Sequence, residues 1–398
     1  MKKRATSIFL ILVMLVLTFS LSGCGSQASS GSGGSSKAKN LKIAIITSDA
    51  GRNDNGYNAS AIQGAIKASK QLGVQYKVVD YTNGGTAKSL QVLAQNGYNM
   101  IFTLEYDFNA LIQGVGNNPP IAKQFPNTTF VVFNDNPNVD SHGKTLFKNV
   151  ISVMFNVHQA SYLAGAASAL VNENAKTLFG KGYNFTPTSQ TRAVGFIGGT
   201  NSNGITVFSD GYIEGVNYIA QQLDVHYNFY TNFNAGFTDP ALGSSLSGSF
   251  YNKGANVVFA CAGVVGDGVT AKAKQAGKLA IQVDANKDSQ QPGYVLTSTL
   301  KNTEVPVYKL TDALVHGSLN KMARVQNYSL ASGATGITDM STLQAHLAKT
   351  PEAEAKWKEI KAELNTIAKK INDGQIKVTN AQIGEKFDLS SLKNVTFK

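Results

Sequence analysis

Short apolar runs alternate with stretches of helical periodicity along most of the sequence, and the alternation forms two successive series. The apolar runs lie at residues 41–47, 75–79, 100–104, 129–133 and 150–155, and then at 193–197, 226–231, 256–261, 279–283 and 295–300. Helical patterns fill the intervals, among them 87–96, 107–115, 159–170, 207–222, 240–253, 269–276 and 305–316. Strands that alternate with crossover helices form parallel sheets. The sequence therefore predicts an α/β protein with two parallel-sheet lobes.

The loop after the first predicted strand is a candidate site. Residues 48–56 combine Ser, Asp, Asn and Gly, so the strand ends there, and a helix begins at Tyr57 with Asn55 or Gly56 as its cap. Ligands of open parallel sheets bind outside the carboxyl ends of the strands, where such loops lie. The loop offers acceptors, amides and one aromatic face, from Asp49, Asn53, Asp54, Tyr57 and Asn58. The alternative interpretation is a solvated connection without a ligand.

Polar side chains also follow later strands of both series. Asn134 and Asp135 come after the strand at 129–133, Asp284 after 279–283, and Lys301 after 295–300. A turn or a helix cap would explain each of them alone. Together they reach the same edge, which faces the cleft between the lobes. Acidic groups and one lysine without an activating histidine indicate binding rather than catalysis.

The segment GVVGDG at 263–268 predicts a tight turn before a helix that starts at residue 269. Its glycine spacing does not match a dinucleotide-binding loop. The backbone N–H groups around Gly263 and Gly266 are instead expected to donate to a neutral polar ligand. Cys261, just before this segment, ends an apolar run and is expected to be a buried thiol.

Motifs of several enzyme classes are missing from the sequence. It has no GK[ST] phosphate loop, no HExxH pair and no GxSxG elbow. The histidines, at 142, 158, 226, 316 and 346, show no metal-ligand spacing. We therefore predict no catalytic residue, no metal site and no cofactor.

The N-terminal residues read as a targeting segment. Lys2, Lys3 and Arg4 precede a short apolar run at 8–17, and LSGC follows at 21–24, which resembles the lipobox of bacterial lipoproteins. We predict a signal peptide at 1–23, acylation (including palmitate) of Cys24, and a flexible Gly/Ser linker through residue 39. An ordinary signal peptide with an accidental cysteine is the alternative.

The charge of the processed chain favours an envelope location over nucleic acid. Residues 24–398 carry 33 basic against 25 acidic residues, about +8, without a run of five basic residues. The final 60 residues differ in character: 341–373 is charged and helical, and 375–378 predicts a short strand. We expect this segment to cap one lobe.

Several stretches occur in a fixed order between residues 41 and 320. They are DNGYNASAIQG (54–64), NVISVMFNVHQASYLAG (149–165), VGFIGGTNSNGI (194–205), GFTDPALG (236–243), GANVVFACAGVVGDGV (254–269), IQVDANKDS (281–289) and LTSTLKN (296–302), and KKINDGQIKV (369–378) follows. Together they resemble the basic membrane protein (BMP) family of substrate-binding lipoproteins of ABC transporters, which includes purine-nucleoside receptors.

The resemblance implies a type I periplasmic-binding-protein fold, in which three crossovers join two lobes that clamp a ligand. Its implied lobe 1 comprises 40–155 and about 286–318, and lobe 2 comprises 156–285 and about 319–398. Tyr57, where the family usually has Phe, and Phe237 would flank a base. Asn53 or Asp54, with Asn134 or Asp135, would hydrogen-bond base or sugar, and Asn58 matches the Asn that follows the first aromatic residue. The GVVGDG backbone, Asp284 and Lys301 would bind the ribose hydroxyls.

The expected function is that of a membrane-anchored extracytoplasmic receptor that delivers a nucleoside, with purines favoured, to an ABC permease. A receptor for another small polar or aromatic ligand is the nearest alternative. An envelope sensor lipoprotein without a transport role is another. An enzyme such as a nucleoside hydrolase is disfavoured, because no carboxylate cluster with metal-ligand spacing and no phosphate loop occur.

Overall fold

The structure, a computed structural model, describes residues 40–82, 85–105 and 107–398. The predicted signal peptide, the lipidation at Cys24 and the linker through residue 39 lie outside these residues. No helix among the described residues is both long enough and apolar enough to cross a membrane.

Strands of the described residues form two sheets, one in each lobe. Lobe 1 contains β1 (Lys42–Ile46), β2 (Gln75–Val79), β3 (Met100–Thr103), β4 (Thr129–Phe133), β5 (Val150–Phe155) and β11 (Val325–Tyr328), in the order β11-β5-β4-β3-β1-β2. Lobe 2 contains β6 (Ala193–Gly198), β7 (Tyr227–Asn232), β8 (Val257–Cys261), β9 (Leu279–Asp284), β10 (Val295–Lys301), β12 (Thr335–Ile337) and β13 (Val395–Phe397), in the order β12-β10-β9-β8-β6-β7-β13. All the pairings between these strands are parallel except β10 with β12, so the predicted two parallel-sheet lobes are confirmed.

Helices cover both faces of the two sheets. Their bounds are α1 (Tyr57–Leu72), α2 (Thr86–Gln95), α3 (Asn109–Ile112), α4 (Ile121–Gln124), α5 (Val157–Glu173), α6 (Ala175–Leu178), α7 (Asn203–Gln222), α8 (Pro240–Asn252), α9 (Val265–Ala276), α10 (Glu304–Val315), α11 (Ser341–Gln344) and α12 (Pro351–Asn372). The central strands are buried on both faces, as in β5 and β8, which is why they read as continuous apolar runs.

Three crossings join the lobes, as the resemblance implies. The chain passes from β5 to α5, from β10 to α10, and from β11 to β12. The first two crossings are each tied to the third by the backbone, because Asn156 N donates to the Tyr328 carbonyl (2.8 Å) and Asn302 N donates to the Ala334 carbonyl (2.9 Å). The hinge is therefore three hydrogen-bonded strands side by side.

The sheets divide the chain differently from the implied lobe boundaries in two places. The resemblance implies that 286–318 belongs to lobe 1, but β10 pairs with β9 in lobe 2, and only α10 returns to pack on α1. It implies that 319–398 belongs to lobe 2, but β11 pairs with β5 in lobe 1. A strand that continues a parallel series stays beside its predecessor, so the crossing occurs after β10 and not before it.

Helices α5 and α7 of lobe 2 are in backbone contact. A Cβ atom on Gly165 would lie 1.9 Å from the Tyr212 carbonyl oxygen, and one on Gly215 would lie 2.0 Å from the Tyr162 carbonyl oxygen. Real Cβ atoms do not approach so closely, so glycine is required at both positions. The close contact fixes α7, whose first turns face the cleft, against α5, which begins at the hinge.

The C-terminal part covers lobe 2. Helix α12 buries Trp357, Ile360, Leu364 and Ile367 against this lobe, as expected of a cap. The predicted strand at 375–378 is wrong: these residues are irregular, and the chain pairs only later, through β13 against β7. The run QIKV meets no sheet edge, whereas β13 extends the edge at β7.

Candidate functional site

A hydrogen-bonded loop follows β1 and holds the start of α1. Asp54 accepts from the backbone N–H groups of Gly56 (3.0 Å), Asn58 (2.8 Å) and Ala59 (3.0 Å). Asn58 accepts from Ser48 N (2.8 Å) and donates to Ser48 Oγ (2.9 Å). These bonds satisfy donors that a helix N-terminus otherwise leaves without partners. The loop is thereby fixed, and it places Tyr57 at the edge of the cleft.

Tyr57 spans the floor of the cleft in lobe 1. Its hydroxyl accepts from Asn134 Nδ2 (2.7 Å), and its backbone carbonyl accepts from Thr303 Oγ1 (2.8 Å) at the second crossing. Asn134 follows β4 with φ +65°, a backbone conformation that asparagine tolerates better than most residues. Tyr57 is therefore held at both ends, because its backbone is bound to the hinge and its hydroxyl to the end of β4.

A cavity of about 690 Å³ lies between the two lobes. Lobe 1 supplies the ends of β1, β3 and β4, and lobe 2 supplies the ends of β6, β8, β9 and β10. Its lining comprises Ser48, Asp49, Ala50, Asp54, Tyr57, Glu105, Asn134, Asp135, Thr200, Ser202, Asn203, Gly204, Ile205, Phe208, Phe237, Cys261, Ala262, Gly263, Val283, Asp284, Lys301 and Gln382. The volume and the mixed polar and aromatic lining suit a small ligand.

Asp284 and Lys301 end neighbouring strands and meet at one end of the cavity. Burial raises the pKa of the Asp284 carboxyl, and the ammonium groups of Lys301 and Lys287 oppose that rise. Burial lowers the pKa of the Lys301 amine, and Asp284 opposes that change. Among the described residues, neither side chain forms an ion pair within 4.0 Å. The two charges are therefore close enough to interact without forming a direct ion pair, and both residues line the cavity.

Aromatic rings surround the Lys301 amine. Its Nζ lies 5.0 Å from the ring centre of Tyr57 and 5.7 Å from those of Phe155 and Phe208. A cation near ring faces is stabilised by their quadrupoles, more so when water is excluded. The rings offset part of the cost of burying this charge.

Phe237 lies on the lobe 2 wall. A Cβ atom on Gly199 would meet its ring at 2.3 Å, so the ring rests directly on the backbone after β6. The Phe237 carbonyl accepts from Val264 N (2.8 Å), which joins this wall to the turn after β8. The ring position thus depends on Gly199 and on the turn at Gly263, which has φ +55°.

Most of the residues predicted from the sequence line this cavity. They are Asp49, Asp54, Tyr57, Asn134, Asp135, Phe237, Gly263, Asp284 and Lys301. Cys261 lines it as well and is buried and free, as expected. Polar groups at the carboxyl ends of parallel strands do converge here, as the topology argument predicts.

Three of the predicted residues lie outside the lining. Asn53 faces an outer groove with Arg52 and Tyr76. Asn58 is fully buried, and its amide is used by Ser48 and Asp54. Gly266 lies inside α9 against the Gln282 side chain.

The predicted role of the GVVGDG backbone also changes. Helix α9 begins at Val265 and not at residue 269, so most of the expected loop is helical. The N–H groups of Val264, Val265 and Gly266 donate to Phe237 O, Ala262 O and Gly263 O. These three donors are used within the protein, and Gly263 alone of the two predicted glycines faces the cavity.

Other lining residues were not predicted from the sequence. Thr200, Ser202 and Asn203 belong to the polar run GGTNSN after β6, which has the same strand-end signal as the predicted residues. Glu105 follows the apolar run at 100–104 and carries this signal too, whereas Phe208, inside α7, does not. Gln382 comes from the C-terminal segment, 81 positions after Lys301, and only the tertiary fold brings it to the cleft. No cluster of three or more metal-ligating side chains occurs in the described part of the chain.

Comparison with known proteins identifies the family to which this chain is similar. A family model described as Bmp, ABC transporter substrate-binding protein PnrA-like, matches residues 41–370. The ABC transporter nucleoside-binding protein BmpA of Lactococcus lactis subsp. cremoris is 29% identical over 75% of this chain and 81% of its own length. An uncharacterised lipoprotein of Pyrococcus furiosus is 25% identical over 88% of each chain.

A solved structure shares the fold. The crystal structure of an ABC transporter solute-binding protein from Aeropyrum pernix K1 superposes with a TM-score of 0.70, at 20% identity, over 88% of this chain and 95% of that chain. At this identity the likeness shows the fold alone, and the family match carries the assignment. The chain belongs to the Bmp, PnrA-like family of ABC transporter substrate-binding proteins, a class of binding proteins and not of enzymes.

Proposed function

We propose that this protein is a lipid-anchored receptor that binds a nucleoside, with purines favoured, in the interlobe cavity and delivers it to an ABC permease. The single observation that carries the proposal is the pairing of two aromatic walls with an acid–lysine end. Tyr57 and Phe237 belong to opposite lobes and line one cavity, and Asp284 and Lys301 lie at its end. Flat aromatic faces suit a base, and the charged groups suit a sugar.

The acid–lysine end fits a ribose. A vicinal diol presents two O–H donors, and a carboxylate accepts through two oxygens, so Asp284 can accept both. Among the described residues, Asp284 is influenced by burial and by nearby charges and not by a hydrogen bond, so both of its oxygens remain for a ligand. The Lys301 amine can donate to the same hydroxyls.

The cavity carries an excess of acidic groups, which narrows the ligand class. Its described lining holds five carboxyl groups and one lysine, and the acids are Asp49, Asp54, Glu105, Asp135 and Asp284. A phosphate would be repelled by this field. Nucleosides are therefore favoured over nucleotides. The same excess favours a cationic aromatic ligand as the second candidate.

Membrane anchoring and transport are supported by the family and by the sequence. Substrate-binding proteins of this family are extracytoplasmic and work with ABC permeases. The relative from Lactococcus lactis is named as nucleoside-binding, and the relative from Pyrococcus furiosus is named as a lipoprotein. In this chain the LSGC sequence at 21–24 supplies the cysteine for acylation.

Ligand-dependent melting tests the proposal. Ligand-stripped protein lacking residues 1–24 is melted with adenosine, guanosine, inosine, uridine or cytidine, and with AMP as the matched phosphorylated control. A ligand at a hundredfold excess over Kd stabilises the bound form by about 2.7 kcal/mol, which moves the melting temperature by several degrees. Nucleosides should raise it and AMP should not. If millimolar nucleosides leave it unchanged, the nucleoside assignment is wrong, and mass spectrometry of molecules released on denaturation identifies the alternative.

A further inference from the structure

A short C-terminal segment, residues 379–383, is held on lobe 2 beside the cavity. Thr379 donates to Glu214 of α7 twice, from its hydroxyl (2.6 Å) and from its backbone N–H (3.1 Å). The following turn, Ala381–Ile383, packs on α7. The family match ends at residue 370, so this segment lies beyond the part of the chain that the family describes.

From this segment Gln382 reaches across the cleft to lobe 1. Its Nε2 donates to the Asn134 backbone carbonyl at 2.8 Å. Asn134 in turn donates from Nδ2 to the Tyr57 hydroxyl at 2.7 Å. A chain of hydrogen bonds therefore joins the C-terminal segment, the end of β4 and the aromatic floor of the cavity.

This contact also fixes how the Gln382 amide is oriented. A backbone carbonyl only accepts hydrogen bonds, so the NH₂ group of Gln382 must face Asn134. Gln382 Oε1 then points away from that bond, is buried, and has no hydrogen-bond partner among the described residues. Gln382 lines the cavity. A buried acceptor without a donor is unfavourable, so a ligand that supplies an N–H there gains affinity.

Tyr57 shows which part of a ligand would meet Gln382. At the backbone end of Tyr57, a Cβ atom on Gly56 would lie 3.3 Å from Asp284 Cβ. At its other end, the hydroxyl contacts Asn134, next to Gln382. Asp284 and the Gln382 carboxamide thus lie near opposite ends of the Tyr57 side chain. With the sugar at Asp284, the base extends toward Gln382.

We propose that Gln382 is a specificity-determining residue of the cavity, whose carboxamide oxygen accepts an N–H group of the ligand's base. The inference rests on the proposed nucleoside function. It predicts a preference for bases that carry an N–H donor, namely an exocyclic amino group or a ring N–H. Ligands of the same shape without such a donor leave Gln382 Oε1 unsatisfied.

Matched ligand pairs test the donor requirement. Adenosine is compared with purine riboside, which lacks the amino group, and uridine with 3-methyluridine, which lacks the ring N–H. Affinities are measured by calorimetry for the wild type, for Gln382→Met, which keeps the side-chain length, and for Gln382→Ala. The control is Gln375→Met, an exposed glutamine of the same C-terminal region. Melting of each unliganded variant confirms that it is folded.

The deciding quantity is the affinity ratio within a pair. The wild type and Gln375→Met should prefer the donor-bearing ligand by about three- to tenfold, the size expected of one neutral hydrogen bond. Both Gln382 variants should reduce the ratio to within about twofold. If they weaken both members of a pair equally, or leave the ratio unchanged, the inference is overturned. If the wild type binds none of these ligands, the nucleoside proposal itself has failed.

Discussion

Replacing Asp284 by Asn is the sharpest test of the sugar site. Asp284 has φ +72°, a conformation that asparagine adopts with little strain, whereas alanine would add backbone strain to the loss of the carboxylate. Asn keeps the shape of the side chain but has one acceptor oxygen and no charge. The substitution therefore removes the proposed interaction with the diol and little else.

The size of the effect follows from the two oxygens. Hydrogen bonds to a charged group contribute roughly 1.5–3 kcal/mol each. One of the two is lost and the other becomes a bond to a neutral amide, so a ribonucleoside should bind at least about thirtyfold more weakly, roughly 2 kcal/mol. The unliganded protein should melt within a few degrees of the wild type, because two effects oppose. Burial raises the pKa of Asp284, so its charge is unfavourable in the fold, but its removal leaves Lys301 without the nearby acid.

Titration calorimetry with paired sugars measures the effect. The wild type should bind adenosine much more tightly than 2′-deoxyadenosine, and Asp284→Asn should lose most of this difference. Asp224→Asn, at an exposed aspartate that also has a positive φ (+51°) and lies outside the cavity lining, is the matched control and should keep it. Equal affinity of the wild type for the two sugars would refute the assignment of Asp284 to the diol. So would an unchanged sugar preference in Asp284→Asn.

Other substitutions probe the aromatic walls, the anchor and a half-buried acid. Phe237→Ala should weaken nucleoside binding at least about tenfold, since it removes ring burial and stacking; unchanged affinity in calorimetry would place the base elsewhere. Tyr57→Phe keeps the ring but loses the hydroxyl that Asn134 contacts, so denaturant unfolding should show a loss of about 1 kcal/mol. Cys24→Ala should abolish incorporation of labelled palmitate and release the protein from membranes; a variant that is still acylated would contradict the lipobox. Burial and Glu214 raise the pKa of Asp210 to about 7, so its charge opposes folding increasingly as pH rises from about 4 through 7. Asp210→Asn should therefore stabilise the protein more at pH 8 than at pH 5, and an equal shift in melting temperature at both pH values would contradict this.

The strand ends could be predicted because their signal is local. The central strands β1, β4, β9 and β10 are buried on both faces, so each appears in the sequence as an apolar run with an abrupt polar end. Parallel strands then bring these ends to one edge. For this reason Asp49, Asn134, Asp284 and Lys301 were identified without knowledge of any contact.

The remaining site residues depend on partners that a local pattern does not reveal. Asn58 and Asn53 belong to the same polar loop, yet the Asn58 amide is hydrogen-bonded to Ser48, whereas Asn53 faces the outer groove. Gly266 resembles a loop glycine in the sequence, but α9 begins at Val265 and includes it. Gln382 reaches the cleft only because the chain returns over lobe 2 after α12.

The lobe that contains β11 could not be predicted from the sequence for a related reason. The short edge strand β11, VQNY, has no apolar run, since only one of its four residues is buried. It exists because β5 offers an unpaired edge, and that edge is a property of the assembled sheet. The sequence of such a strand carries little information about which lobe it joins.

The backbone contact between α5 and α7 makes these two helices of lobe 2 move as one rigid unit. The glycines Gly165 and Gly215 leave no side chain between the two helices that could change rotamer and absorb a displacement. Ile205 on the first turn of α7 touches the cavity, and α5 begins one residue after the Asn156 crossing. A ligand that displaces α7 at the cavity wall would therefore also displace α5, and with it the first crossing of the hinge. The angle between the lobes, which a partner can contact at the protein surface, would thus depend on whether the cavity is occupied.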